Sequence, residues 1–158
     1  MEHTISVLVE NHFGVLAKIA GLFSARGFNI KSLSVGETEN PKLSRMTIVV
    51  SADDKILEQV KKQLNKLVDV HKVVDLSGKP SVERELLFVK VKQSGKSSEI
   101  MQIVDVFRGS VIDVSADSIV VELTGGTDKL KAFLKLLNPY GIIEIARTGK
   151  VALSRGKN

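Results

Sequence analysis

Asn11, His12, Phe13 and Gly14 close a short alternating strand and open an amphipathic helix. That order has a chemical use. A helix N-terminus presents several backbone N–H groups with no intrahelical partner and about half a unit of positive charge. A carboxylate is a natural guest there. Gly14 suits a close backbone approach or a positive φ before the helix. Asn11 ends one strand and Asn29 begins the next. Their side-chain amides carry donors and acceptors alike, which suits a zwitterion with one group of each sign. A plainer reading also fits the spacing: Asn11 as an Asx turn, Gly14 as a turn residue and Asn29 as a strand-edge residue.

Other residue types with chemical potential form no pattern. His3, His12 and His71 are dispersed and lack metal-ligand spacing. Asp53–Asp54 and Glu83 with Glu85 resemble carboxylate pairs, but helix capping and a solvated strand face explain them. No Ser/His/Asp arrangement is evident. Gly125–Gly126 precedes a helix without the spacing of a phosphate loop. The chain has no cysteine, which excludes a thiol nucleophile, a Cys-ligated zinc and a disulfide framework.

The elements that must hold Asn11 and Asn29 follow from periodicity. Strand patterns cover about 3–10, 28–38, 43–52 and 70–76, and helix patterns about 15–26 and 53–66. The order is βαββαβ. Val15, Leu16, Ile19, Leu22 and Phe23 share one face of the first helix; Ile56, Leu57, Val60 and Leu64 share one face of the second. Residues 77–81 break the pattern. The order then recurs, with strands at about 84–92, 110–115, 118–124 and 141–147 and helices at about 97–107 and 128–137. Arg26–Gly27 is echoed by Arg108–Gly109, and Ile30 by Ile112. At that shift Gln93, Ser94, Lys96 and Val111 replace Asn11, His12, Gly14 and Asn29, so the second copy is not expected to bind the same ligand in the same way. The predicted class is α+β, two tandem ferredoxin-like (βαββαβ) sandwiches. Leu8, Leu33, Val35, Leu86 and Phe88 are candidates for the uncovered sheet faces or edges, and large apolar residues there imply a homodimer.

The 158 residues carry 43% hydrophobic and 26% charged residues, the balance of a globular protein. A net charge of +5 is mild, and its lysines are interleaved with carboxylates. Aromatics are only 4%, too few for base-stacking platforms. No nucleic-acid partner is expected. No apolar run approaches the length of a membrane span, and no signal peptide is read. A cytoplasmic location is expected.

In order and spacing the chain resembles the regulatory (small) subunit family of acetolactate synthase, also called acetohydroxyacid synthase. The resemblance rests on Ser6–Asn11 followed by Gly14–Val15–Leu16, then Gly21–Ser24, Arg26–Gly27 and Asn29–Ile30. It continues through Leu43–Ile48, Gln63–Leu64, Lys66–Val70, Glu83–Arg84–Glu85, Phe107–Arg108–Gly109, Ile112–Val114 and Leu153–Gly156. The resemblance implies that residues 1–77 form an ACT domain that dimerises and binds a branched-chain amino acid, usually valine. Residues 78–83 would be a linker and 84–158 the family's C-terminal domain. It implies a site at Asn11, Gly14, Val15, Leu16, Asn29 and Ile30, with Asn29 reaching from the next strand or the other subunit. Leu16 and Ile30 would line the pocket. It implies no catalysis and no cofactor in this chain. Thiamine diphosphate, magnesium and FAD would sit in the catalytic large subunit, which this chain would activate and render sensitive to feedback inhibition. A free-standing amino-acid sensor acting on another enzyme or on a transcription factor is the alternative. The polar, basic tail from Lys150 is open between a docking segment for the large subunit and a frayed end.

Overall fold

Apolar residues at every second position carry directly into the first strand. The computed structural model describes residues 1–157, and in it β1 spans Glu2–Glu10 with Ile5, Val7 and Val9 buried on one face. Helix α1 (Val15–Ala25) follows, then β2 (Ile30–Glu37), β3 (Leu43–Ser51), α2 (Asp54–Asn65) and β4 (Val70–Asp75). The four strands form an antiparallel sheet in the order β2-β3-β1-β4, which leaves β2 and β4 as its edges. Both helices cover the face that carries Ile5, Val7, Met46 and Ile48. They do so through Val15, Ile19 and Phe23 on α1 and Leu57, Val60 and Leu64 on α2, at helical spacing. Asp53 caps α2: its Oδ1 accepts from Ile56 N at 2.9 Å, and Asp54 sits in the first turn.

The second copy repeats this plan. It comprises β5 (Ser81–Lys92), α3 (Ser97–Val106), β6 (Ser110–Val114), β7 (Ser118–Gly125), α4 (Thr127–Leu137), one 3-10 turn at Asn138–Tyr140 and β8 (Ile142–Arg147). Its strand order is β6-β7-β5-β8, with Leu87, Val89 and Val91 packed on Ile100, Val104, Leu130 and Phe133. The fold is thus α+β, with two tandem βαββαβ units.

The unit boundaries differ from the division read from the sequence. One compact unit takes residues 1–82 together with the chain from Lys150 onward; the other takes Glu83–Gly149. β5 begins at Ser81, inside the expected linker. The tail forms a strand, β9 (Val151–Ser154), with Ala152 buried. It has partners in the first unit: Arg155 N donates to Pro80 O at 2.9 Å, and Arg155 Nε to Ser81 O at 3.2 Å. Of the first-unit candidates for the uncovered face or edges, Leu8 lies on the non-helical face and Val35 on an edge strand, while Leu33 departs from expectation. Leu33 packs into the core, and Val35 is half exposed on the edge strand. The face carries Thr4, Ser6 and Thr47, all buried, with Arg45 donating to Ser6 Oγ at 2.9 Å.

The repeat is closest at the helix ends and weakest in the strand after them. α1 closes with Gly27 N on Ser24 O and Phe28 N on Phe23 O; α3 closes with Arg108 N on Asp105 O and Gly109 N on Val104 O. Both are Schellman endings. The left-handed residue is Gly27 (φ 76°) in one and Arg108 (φ 61°) in the other. The shared Arg–Gly pair is therefore offset by one position. Gly109 is small for another reason: a Cβ there would lie 2.8 Å from Glu122 O. Sheet register moves further. Val7 faces Met46, which faces Val35; Val89 faces Val121, which faces Val111. The counterpart of Val111 is Val35, not Asn29 as a constant shift implied. β6 has five residues against eight in β2, and the part missing is the beginning, directly after Asn29.

Two glycines at equivalent-looking positions should respond differently in urea unfolding. Gly109→Ala should lose about 1–3 kcal/mol through the clash with Glu122 O. Gly27→Ala should lose about 1–2 kcal/mol through its torsion alone. A neutral Gly109→Ala would contradict the close approach.

Candidate functional site

The chain leaves β1 at Glu10 and reaches α1 through four residues, and this turn is braced on both sides. On one side is the β2–β3 hairpin. Asn11 N donates to Lys42 O at 2.7 Å, and Asn11 Nδ2 donates to Glu37 Oε1 at 3.2 Å and Pro41 O at 3.0 Å. The hairpin is itself stapled: Thr38 N donates to Leu43 O, Leu43 N to Asn40 O, and Lys42 N to Asn40 Oδ1. On the other side is the start of β4. Glu10 N donates to Asp69 O at 2.8 Å, and the Asp69 carboxylate accepts from Lys18 Nζ at 3.0 Å. His12 Nε2 lies 3.6 Å from the same carboxylate.

Between these braces the helix opens on Gly14, at φ 86° and ψ −10°. A Cβ there would meet nothing within 4 Å, so the torsion and not the space selects glycine. Gly14 supplies no capping side chain, and the first turn of α1 has no acidic residue. The N–H groups of Leu16 and Ala17 have no intrahelical acceptor. They and the helix dipole are the available partners for an anion.

Amide chemistry at Asn11 is fixed by its surroundings. Glu37 Oε1 and Pro41 O are both acceptors, so the NH2 group must face them and both its protons are engaged. What remains is the carbonyl oxygen, an acceptor suited to an ammonium. Gln93 makes the analogous strut in the second copy by donating to Ser115 O, with no carboxylate joining in among the described residues. The strut is thus partly structural, though its bonds reach across the sheet edge to Glu37 and Pro41 and are not those of an Asx turn.

The six expected site residues separate into two groups. Asn11 and Gly14 lie exposed on the turn, and Leu16 beside them is 45% exposed. Val15 is 4% exposed and spent in the core. Asn29 is exposed just before β2, whereas Ile30 is partly buried and packs against the first unit's own core. The register separates the groups. Ile30 faces Val50 and Glu10 faces Leu43. These partners are seven residues apart along β3, about 24 Å at the rise of an antiparallel strand. One protomer does not bring Asn11 and Asn29 together.

Glu37, Lys18 and Asp69 were missed in the sequence. The signal for Glu37 was topological: β1 and β2 run parallel with β3 between them, so their ends share one edge. Asp69 immediately precedes β4, the strand antiparallel to β1, and lies beside the end of β1 for the same reason. The three histidines occupy three separate places, each beside carboxylates: His3 near Asp54 and Asp75, His12 near Asp69, and His71 near Glu10. Among the described residues three groups are held away from their ordinary values, all in the second unit; Glu144 is exposed, and Lys90 and Tyr140 are partly buried. Hydrogen bonding to Glu144 raises Lys90, and the same bond lowers Glu144. Hydrogen bonding to Glu99 raises Tyr140.

Residues 5–72 match the AHAS small subunit-like ACT domain, and residues 84–156 match the family described as the small subunit of acetolactate synthase. A probable acetolactate synthase small subunit of Archaeoglobus fulgidus is 56% identical over 99% of this chain and 98% of its own. The acetolactate synthase small subunit of Mycobacterium bovis is 56% identical over 98% of this chain and 92% of its own. The crystal structure of the acetolactate synthase small subunit from Thermotoga maritima superposes with a TM-score of 0.91 at 47% identity, covering 100% of this chain and 99% of that one.

Stability should divide the turn residues as the torsions do. Gly14→Ala should cost about 1–2 kcal/mol, and Leu16→Ala, half exposed, less than about 0.5 kcal/mol. Urea midpoints of the two variants check this, and equal losses would contradict it.

Proposed function

The chain belongs to the acetolactate synthase small-subunit family, and on that premise we propose that it is the non-catalytic regulatory subunit of that enzyme. It activates the catalytic large subunit, where thiamine diphosphate, magnesium and FAD reside, and makes it sensitive to a branched-chain amino acid, valine in the first instance. The assembly works in the cytoplasm. The observation that carries this reading is the braced turn itself: an uncapped helix N-terminus opened by Gly14, beside an Asn11 amide whose oxygen alone is free to accept.

The effector's carboxylate binds the N–H groups at the start of α1. Its ammonium binds Asn11 Oδ1, and its branched side chain lies against Leu16. Asn29 comes from a second copy of the chain. β2 is an edge strand, and antiparallel pairing of two β2 edges about a two-fold axis sets the Asn29 end of one against the Glu37 end of the other. Asn11 is bonded to Glu37, so that pairing supports a site shared between copies. Val15 and Ile30 support the site from the core and do not touch the effector.

An effector held across two copies favours one dimer geometry over another. A coupling of about 1–3 kcal/mol would alter the partner's activity roughly 5–150-fold. Hydrophobic pockets separate ligands that differ by one methylene by only about 1–3 kcal/mol, so valine, leucine and isoleucine should all register, in an order set by the pocket.

Mixing the chain with an acetolactate synthase large subunit tests the proposal. Acetolactate formation should rise on mixing and fall again with valine. Asn29→Asp should keep the rise and lose the fall. Neither effect on mixing, beside heat on titrating valine, would leave the free-standing sensor in its place.

A further inference from the structure

Glu37 has no role in the scheme above beyond its contact with Asn11, yet it is the only carboxylate bonded to that amide among the described residues. We propose that Glu37 determines specificity: it makes the site select an α-ammonium over an uncharged group at the same position. The inference rests on the reading of the turn as an effector site.

Three observations carry it. First, Glu37 Oε1 accepts from Asn11 Nδ2 at 3.2 Å and so helps fix which end of the amide faces outward. Pro41 O, held by the stapled hairpin, does the same at 3.0 Å, so Asn11 keeps its orientation without the Glu37 charge. The specific contribution of Glu37 is therefore its negative charge. Second, the charges around the turn are arranged asymmetrically. Asp69, on the β4 side, is bonded to Lys18 and lies near His12. Among the described residues Glu37 has a neutral amide and no cation as its bonded partner. Its charge is therefore not spent on an ion pair within the protomer among the described residues. Third, the second copy keeps the amide strut at Gln93 but bonds it, among the described residues, to Ser115 O and to no carboxylate. The strut needs no carboxylate to be a strut.

The charge acts through space on a ligand cation. A hydroxy acid of the same shape keeps the carboxylate contacts and the apolar contact, and it can still donate a proton to Asn11 Oδ1. It gains nothing from Glu37. Discrimination between the two ligands therefore reports on Glu37, whereas overall affinity reports on the whole site.

The test is calorimetric titration of the full chain with L-valine and with 2-hydroxy-3-methylbutanoate, comparing the wild type with Glu37→Gln. Glutamine keeps the length and the acceptor toward Asn11 and removes only the charge. Glu37 is exposed, so the variant should fold, and its urea midpoint verifies that. The wild type should prefer valine strongly. Glu37→Gln should weaken valine about tenfold or more and leave the hydroxy acid unchanged, so that the ratio collapses. An unchanged ratio, whether both affinities stay or both fall together, overturns the proposal while the effector site stands. Absence of heat with valine in the wild type takes down the effector site and this inference with it.

Discussion

A right-handed βαβ crossover sends the chain up one strand, down a helix and up a second strand. The end of the first strand and the start of the second then lie at opposite ends of the sheet. That constraint governs how this molecule can use its two asparagines. Asn11 ends β1 and Asn29 precedes β2, with β3 between the strands and seven residues of its length separating their levels. No rotamer closes a gap of about 24 Å. Any ligand that meets both residues must meet two chains. Edge strand β2 supplies the means, because it presents unpaired backbone groups along its outer side and its two ends carry the two halves of the proposed site.

The turn at 11–14 is built to hold its shape without a ligand. The stapled β2–β3 hairpin fixes Asn11 from one side, and Asp69 with Lys18 fixes the helix start from the other. Such bracing lowers the entropic cost of binding, because the groups are ordered before the ligand arrives. It also gives a route by which occupancy can be felt elsewhere. The hairpin joins the turn to β2 and β3, and Asp69 joins it to β4. The second unit keeps the strut at Gln93, but its β6 lacks counterparts of the opening residues of β2, the ones that follow Asn29.

Much of this was legible in the residues. Period-two strands, helical stripes and the break after Leu76 gave both βαββαβ units, and Gly14 before an apolar stripe marked the helix start. What escaped were properties of register and packing. Counting a constant shift paired Val111 with Asn29, because a shorter helix and a shorter strand displace the repeat only once the strands are paired. That Ile30 packs partly against the core could not be read either, because apolar type does not say which side of a sheet a residue faces. The tail read as polar and open-ended, since four strand residues with one buried alanine leave too weak a pattern to detect. Glu37 was invisible because the residues that meet across a sheet edge are far apart in sequence.

Shared construction of the site is the central claim, and mixing two defective variants tests it most directly. Asn11→Ala and Asn29→Ala homodimers should each fail to bind valine. Unfolded and refolded together, they should form hybrid dimers with one intact site, restoring about a quarter of the wild-type capacity if chains pair at random. A mixture that binds no more valine than either parent would contradict a site made from two chains.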